Sequence, residues 1–73
     1  MMNYNLERIA RNIKVLRSKK HWKFSYVANN TSIEEKRLRK MEEAEAIPIY
    51  TELYELSRLF DVTIDDLVFK ELE

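Results

Sequence analysis

The chain predicts an all-α fold of five short helices, and three observations carry that expectation. It contains no glycine and a single proline in 73 residues, so the tight hairpin turns of a β domain lack the residue that accepts positive φ without strain. Its apolar residues recur three and four positions apart, the period of one helical face. Short polar breaks separate these runs. A chain of this length makes one small domain, burying only about 60% of its unfolded surface, with no room for a second core. We place the domain at residues 6–70, with short tails at 1–5 and 71–73.

Asn5 is a good N-cap for a first helix from about Leu6 to Lys19. Leu6, Ile9, Ala10, Ile13 and Leu16 share its inner face, while Arg8, Arg11, Lys14 and Lys19 lie outside, with Arg8 and Arg11 read as plain soluble surface. A second helix runs from about Lys23 to Asn30. Trp22, Val27 and Ala28 read as core, and one of Phe24 and Tyr26 must be exposed on so short a helix. After the polar break Asn29 to Ser32, Ser32 and Glu35 match a capping box. A third helix is therefore expected to begin at Ile33 or Glu34 and end near Glu42. Its apolar seam is Ile33, Leu38 and Met41; Glu35, Lys36, Arg39, Lys40 and Glu43 form the opposite, charged ridge. Residues 43–48 form a loop, with Pro48 at a helix start. The fourth helix, about Ile49 to Phe60, buries Leu53, Leu56, Leu59 or Phe60, and part of Tyr50, and Asp61 stops it. Thr63 with Asp66 caps a fifth helix from Ile64 to about Lys70. Phe69 and Leu72 are left without an obvious intrachain home and are candidates for a two-fold dimer contact, or else belong to a frayed tail.

Composition excludes several functions. Without cysteine there is no disulfide or thiolate metal site, and one histidine cannot build an ordinary zinc site. No cofactor is expected. His21 reads as a surface residue, and no acid, base or nucleophile set accompanies it, so an enzyme is not expected. No apolar run reaches membrane-spanning length and Met1 to Asn5 has no signal-peptide core, which together with the missing cysteines fits a cytoplasmic protein. Net charge is zero, but residues 1–40 hold 11 Lys and Arg against 3 Glu, and residues 41–73 hold 2 against 10 Asp and Glu. A balance of +8 faces one of −8. Such a dipole can turn a basic face to phosphates.

Helices two and three, with their polar break, have the length and rhythm of a helix-turn-helix. The whole pattern resembles the phage-repressor, or Cro-type (XRE-type), helix-turn-helix family of five-helix bacterial and phage DNA-binding domains. The resemblance covers about Ile9 to Val68 and rests on Ile13, Leu16, Arg17, Val27, Ala28, Ile33, Leu38, Met41, Glu42, Pro48, Leu53, Leu56, Val62, Asp65 and Leu67. It implies a compact lambda-repressor-like domain and a structural ion pair between Arg17 and Glu42. The chain departs from the family where phosphates are held. Ser32 stands for the turn glycine, Phe24 for the glutamine opening the second helix, and Glu43, Ala44 and Glu45 for an Asn-Gly-Lys.

The resemblance implies a dimeric transcriptional regulator whose third helix enters the major groove of double-stranded DNA. Glu35, Lys36 and Lys40 match its base-reading positions, with chemistry to suit: lysine donates to guanine O6 and N7, and glutamate accepts from cytosine N4. Lys14, Lys19, Lys20, Lys23 and Arg39 are candidates for phosphate contacts. The alternative keeps the fold but turns the same ridge, with Phe24 and Tyr26 beside Lys36 and Lys40, to a protein partner, as in an antirepressor or modulator.

Overall fold

The computed structural model describes residues 5–72. Among them are five helices and no strand: α1 Leu6–Lys19, α2 Phe24–Asn29, α3 Glu35–Glu42, α4 Tyr50–Phe60 and α5 Ile64–Phe69. Residues 1–4 of the N-terminal tail and Glu73 lie outside the described residues.

Local chemistry explains where α1 and α5 begin. Asn5 accepts the Arg8 amide at 3.0 Å and so satisfies one of the orphan donors of α1. Thr63 accepts the Asp66 amide at 2.9 Å while Asp66 reaches back to the Thr63 amide at 3.4 Å, a complete capping box for α5. The start of α3 differs from expectation. Its cap is Glu34, without a side-chain bond, and the Ser32–Glu35 box does not form. Instead Glu55 of α4 accepts both the Ser32 amide at 2.6 Å and its hydroxyl at 2.8 Å. A charged acceptor offering two bonds outcompetes the single local bond of a cap.

Three connections turn through positive φ without glycine, at His21 (58°), Ala44 (58°) and Asp61 (59°). Each follows a helix end with the same two bonds. Trp22 to Arg17, Glu45 to Lys40 and Val62 to Ser57 are the long bonds, and His21 to Ser18, Ala44 to Met41 and Asp61 to Arg58 the short ones. These are Schellman closures of α1, α3 and α4.

The core gathers Ile9 and Ile13 of α1, Val27 of α2, Leu38 and Met41 of α3, Leu53, Leu56 and Phe60 of α4, and Leu67 and Val68 of α5, with Ile33 from the loop before α3. α1 lies against α3, α4 and α5, while α2 packs on α3. Tyr50, expected to be partly buried, is 68% exposed, because the inner face of α4 is filled by Leu53, Leu56 and Phe60. Trp22 is half-buried, its ring 4.7 Å from Tyr26 and 5.8 Å from Phe60. Of the pair Phe24 and Tyr26, the tyrosine is the exposed one.

The segment after α5 is tied down as far as Leu72. Asn12, fully buried, donates to the carbonyls of Leu67 at 2.8 Å and Lys70 at 2.6 Å and accepts the Leu72 amide at 3.1 Å. Leu72 is thereby held against α1.

Candidate nucleic-acid interface

α3 repeats its apolar residues on one side, and the helical period puts Glu35, Lys36, Arg39, Lys40 and Glu43 within an arc of about 140° on the other. All five are exposed. The two borders between that arc and the buried stripe are each held by an arginine–carboxylate pair. At one border Arg17 of α1 grips Glu42 through Nε at 2.6 Å and Nη2 at 3.0 Å, and its Nη1 donates to the Trp22 carbonyl at 2.9 Å. At the other, Arg37 grips Glu52 of α4 through Nε at 2.5 Å and Nη2 at 3.0 Å. Nη2 of Arg37 also reaches the Ile47 carbonyl at 3.1 Å. Two-pronged pairs of this kind fix orientation as well as distance. α3 is thus pinned to α1 on one side and to α4 on the other.

The pairs also set charge states. Burial, the largest influence on Glu52, disfavours its charged form, but the hydrogen bond from Arg37, the Ile49 amide and the charge of Arg37 together outweigh it and hold the carboxyl below its ordinary value. The hydrogen bonds to Glu42 and to Glu52 raise the already high pKa values of Arg17 and Arg37. Both arginines are permanently charged.

The structure sorts the remaining cations. Lys36 and Lys40 line a shallow groove with Glu34 and Arg37 on the outer face of α3. Arg39 lies over the Phe24 ring, 4.6 Å from its centroid, and so does Arg17 at 4.1 Å. Arg39 also stands 3.9 Å from Glu35, an exposed pair of little energetic weight. Lys14, Arg39 and Glu43 share a cleft of about 240 Å³ with Phe24. Lys23 and Glu35 line an adjoining one of about 350 Å³ beside the same ring. Lys14, Lys23 and Arg39 are therefore brought together around Phe24. Lys20 stays at the α1–α2 connection, its ammonium 5.7 Å from the Trp22 centroid.

Lys19 does not join them. It lies five residues beyond Lys14, about 140° further round α1, and its ammonium is 3.4 Å from the Leu72 carbonyl. The proposed dimer residues also separate. Phe69 is 38% exposed, whereas Leu72 is half-buried with its amide taken by Asn12.

Sequence reasoning missed Arg37, Glu52, Ser32 with Glu55, and Asn12. A faint signal existed for Arg37, which falls on the flank of the Leu38–Met41 seam. The others depend on residues 15 to 60 positions apart, beyond any local pattern. Among the described residues no group of three His, Asp or Glu gathers as a metal site, and no helix is long and apolar enough to cross a membrane.

No family model, curated protein or solved structure matches the chain.

Proposed function

We propose that the protein is a sequence-specific DNA-binding transcriptional regulator in which α2 and α3 act as a helix-turn-helix of the lambda-repressor-like kind. The observation that carries the reading is the bracing of α3 along both flanks by Arg17–Glu42 and Arg37–Glu52, with a charged outer arc that the core does not use. A readout helix has to be held rigidly while its outer side chains stay available. In this reading α3 enters the major groove, Lys36 and Lys40 donate to guanine edges and Glu35 accepts from cytosine. Lys14, Lys23 and Arg39 grip phosphates on the rim, and the Phe24 ring steers Arg39 where the family that the sequence resembles has a glutamine.

Titration against duplex DNA at two salt concentrations, with wild type, Lys36→Ala, Lys40→Ala and Lys14→Ala, tests it. The α3 substitutions should cost about 1–3 kcal/mol each and relax sequence preference. Lys14→Ala should weaken all sequences alike and flatten the salt slope by about 1. Unchanged binding by both α3 variants removes that helix from the interface. One observation favours a second reading, an interaction module for another regulator: Glu43 sits in the same cleft as Lys14 and Arg39, where it opposes a phosphate. Absence of DNA binding at low salt, with the fold intact, selects that reading.

A further inference from the structure

The outer face of α4 stands apart from the half of the chain that carries it. Residues 41–73 hold ten acidic side chains against two basic ones, yet both carboxylates of α4 are turned to internal partners. Glu52 is buried beneath Arg37, and Glu55 is held by Ser32. What α4 offers outward is a ridge of residues four apart, Tyr50, Tyr54 and Arg58, all exposed. Ile47 and Ile49, 62% and 58% exposed, continue it upstream. Four of the six large hydrophobic side chains exposed among the described residues lie here. Of the others, Tyr26 packs at a tilt against Trp22, and Phe69 stands apart at the end of α5.

We propose that this ridge is the contact between two copies of the chain, α4 lying antiparallel to α4 about a two-fold axis through Tyr54. Its chemistry is complementary to itself in that register. Side chains four apart are about 6 Å apart along a helix. An antiparallel axis at Tyr54 sets the two Tyr54 rings together and brings Arg58 of each copy to Tyr50 of the other. Ring meets ring at the centre and cation meets ring on both flanks. A parallel arrangement would oppose arginine to arginine. Arg58 is already directed along this ridge, its Nη1 donating to the Tyr54 hydroxyl at 3.1 Å with the guanidinium 5.7 Å from that ring. The same patch serves both partners, as a two-fold contact requires. So few residues bury less than the roughly 1,200 Å² of a stable complex, so the dimer is weak and reversible. The inference is independent of DNA binding and replaces the C-terminal pair Phe69 and Leu72 as the dimer contact.

Sedimentation equilibrium of the DNA-free protein from about 10 μM to about 1 mM, a range set by the small area, tests it. The wild type should shift from monomer to dimer across that range. Tyr54→Glu should raise the dissociation constant at least about tenfold, as should Arg58→Glu and Tyr50→Arg singly. Combined, Tyr50→Arg and Arg58→Glu place opposite charges across the axis and should return association to within about threefold of wild type. All three substitutions are at exposed positions, and circular dichroism verifies the fold of each variant. A wild type that stays monomeric throughout overturns the proposal. So does a dimer indifferent to Tyr54→Glu, one dissociated instead by Phe69→Glu, or a double variant that fails to recover.

Discussion

Asn12→Ala tests the link between α1 and the segment at and beyond the end of α5. The last carbonyls of any helix lack partners within it, and α5 ends in an extended Lys70 whose amide bonds back only to Asp66. One flank of α1 supplies what is missing: Arg8 reaches the Val68 carbonyl at 3.2 Å, Asn12 those of Leu67 and Lys70, and Lys19 that of Leu72. Removing the Asn12 amide deletes two donated bonds and the one accepted from Leu72, each worth about 1 kcal/mol net. Leu67 is fully buried, so its carbonyl is left dry at a further cost of about 1 kcal/mol, while Lys70 and Leu72 can turn to water. The sum, about 4 kcal/mol, is a large part of the roughly 4–11 kcal/mol expected for a chain of this length. It should lower Tm by roughly 15–30 °C. Thermal and urea melts measure the loss, and hydrogen exchange at the Leu72 amide locates it. Asn12→Asp is the sharper control. It keeps the acceptor for Leu72 but turns negative charge on two carbonyls, so it should be at least as damaging at pH 7 and recover partly once acid restores a proton to donate. A Tm drop below about 3 °C for Asn12→Ala refutes the account.

Acid should weaken the α3–α4 link in a defined window. The folded Glu52 carboxyl titrates below its ordinary value, so its contribution is complete above the unfolded pKa near 4.3 and is lost as pH falls through the lower folded value; Glu52→Gln should be less stable at neutral pH and show a shallower acid limb in pH-dependent melts. Arg17→Lys gives up the fork to Glu42 and the bond to the Trp22 carbonyl and should cost about 1–2 kcal/mol, whereas an equal loss from Lys36→Ala would mean that the outer arc is structural. Ala44 holds φ of 58°, so Ala44→Gly should stabilise by about 0.5–1 kcal/mol, read as a higher urea midpoint at constant slope; a lower midpoint rejects the strain argument. If Glu43 opposes phosphates from its cleft, Glu43→Asn with Glu45→Lys should tighten DNA binding and steepen its salt dependence, while unchanged binding places the loop clear of the duplex.

What could be read from the sequence was what neighbours in sequence decide. The bounds of α1 follow from Asn5 and the spacing of Ile9 and Ile13, and the start of α5 from Thr63 and Asp66, because cap and capped amide are three residues apart. The charged arc of α3 was legible for the same reason: Leu38 and Met41 fix which side is buried. The failure at Ser32 is instructive. Its pattern with Glu35 was sound, but Glu55, 23 residues on, made a better offer. Asn12 carried no local mark, since spacing gives only a position around the axis, and only the docking of α5 reveals that this flank is covered. The ends of α1, α3 and α4 fall at Lys19, Glu42 and Phe60 as expected, but the positive-φ closures at His21, Ala44 and Asp61, with no glycine among them, leave no compositional mark. Tyr50 was misjudged because it borders the stripe of Leu53 and Phe60, and spacing alone does not say which border faces water.

The charge split along the chain overstates the cationic face open to a partner. Arg17 and Arg37 belong to the basic half, yet they cross to Glu42 and Glu52 of the acidic half and brace α3. Arg8 and Lys19 turn to carbonyls at the end of the chain. The division follows side-chain chemistry. A planar fork suits a fixed carboxylate, so arginine serves the frame, while the flexible ammonium of lysine is left where the outer surface is charged and wet. Lys14, Lys23, Lys36 and Lys40 are exposed in this way, with Arg39 between the two roles, held over Phe24 but open to solvent. A partner that binds through charge on the α3 side meets these five, and the orientation of α3 beneath them follows from the two arginine braces. Breaking a brace should thus change how a partner is recognised even where the brace touches nothing but the fold.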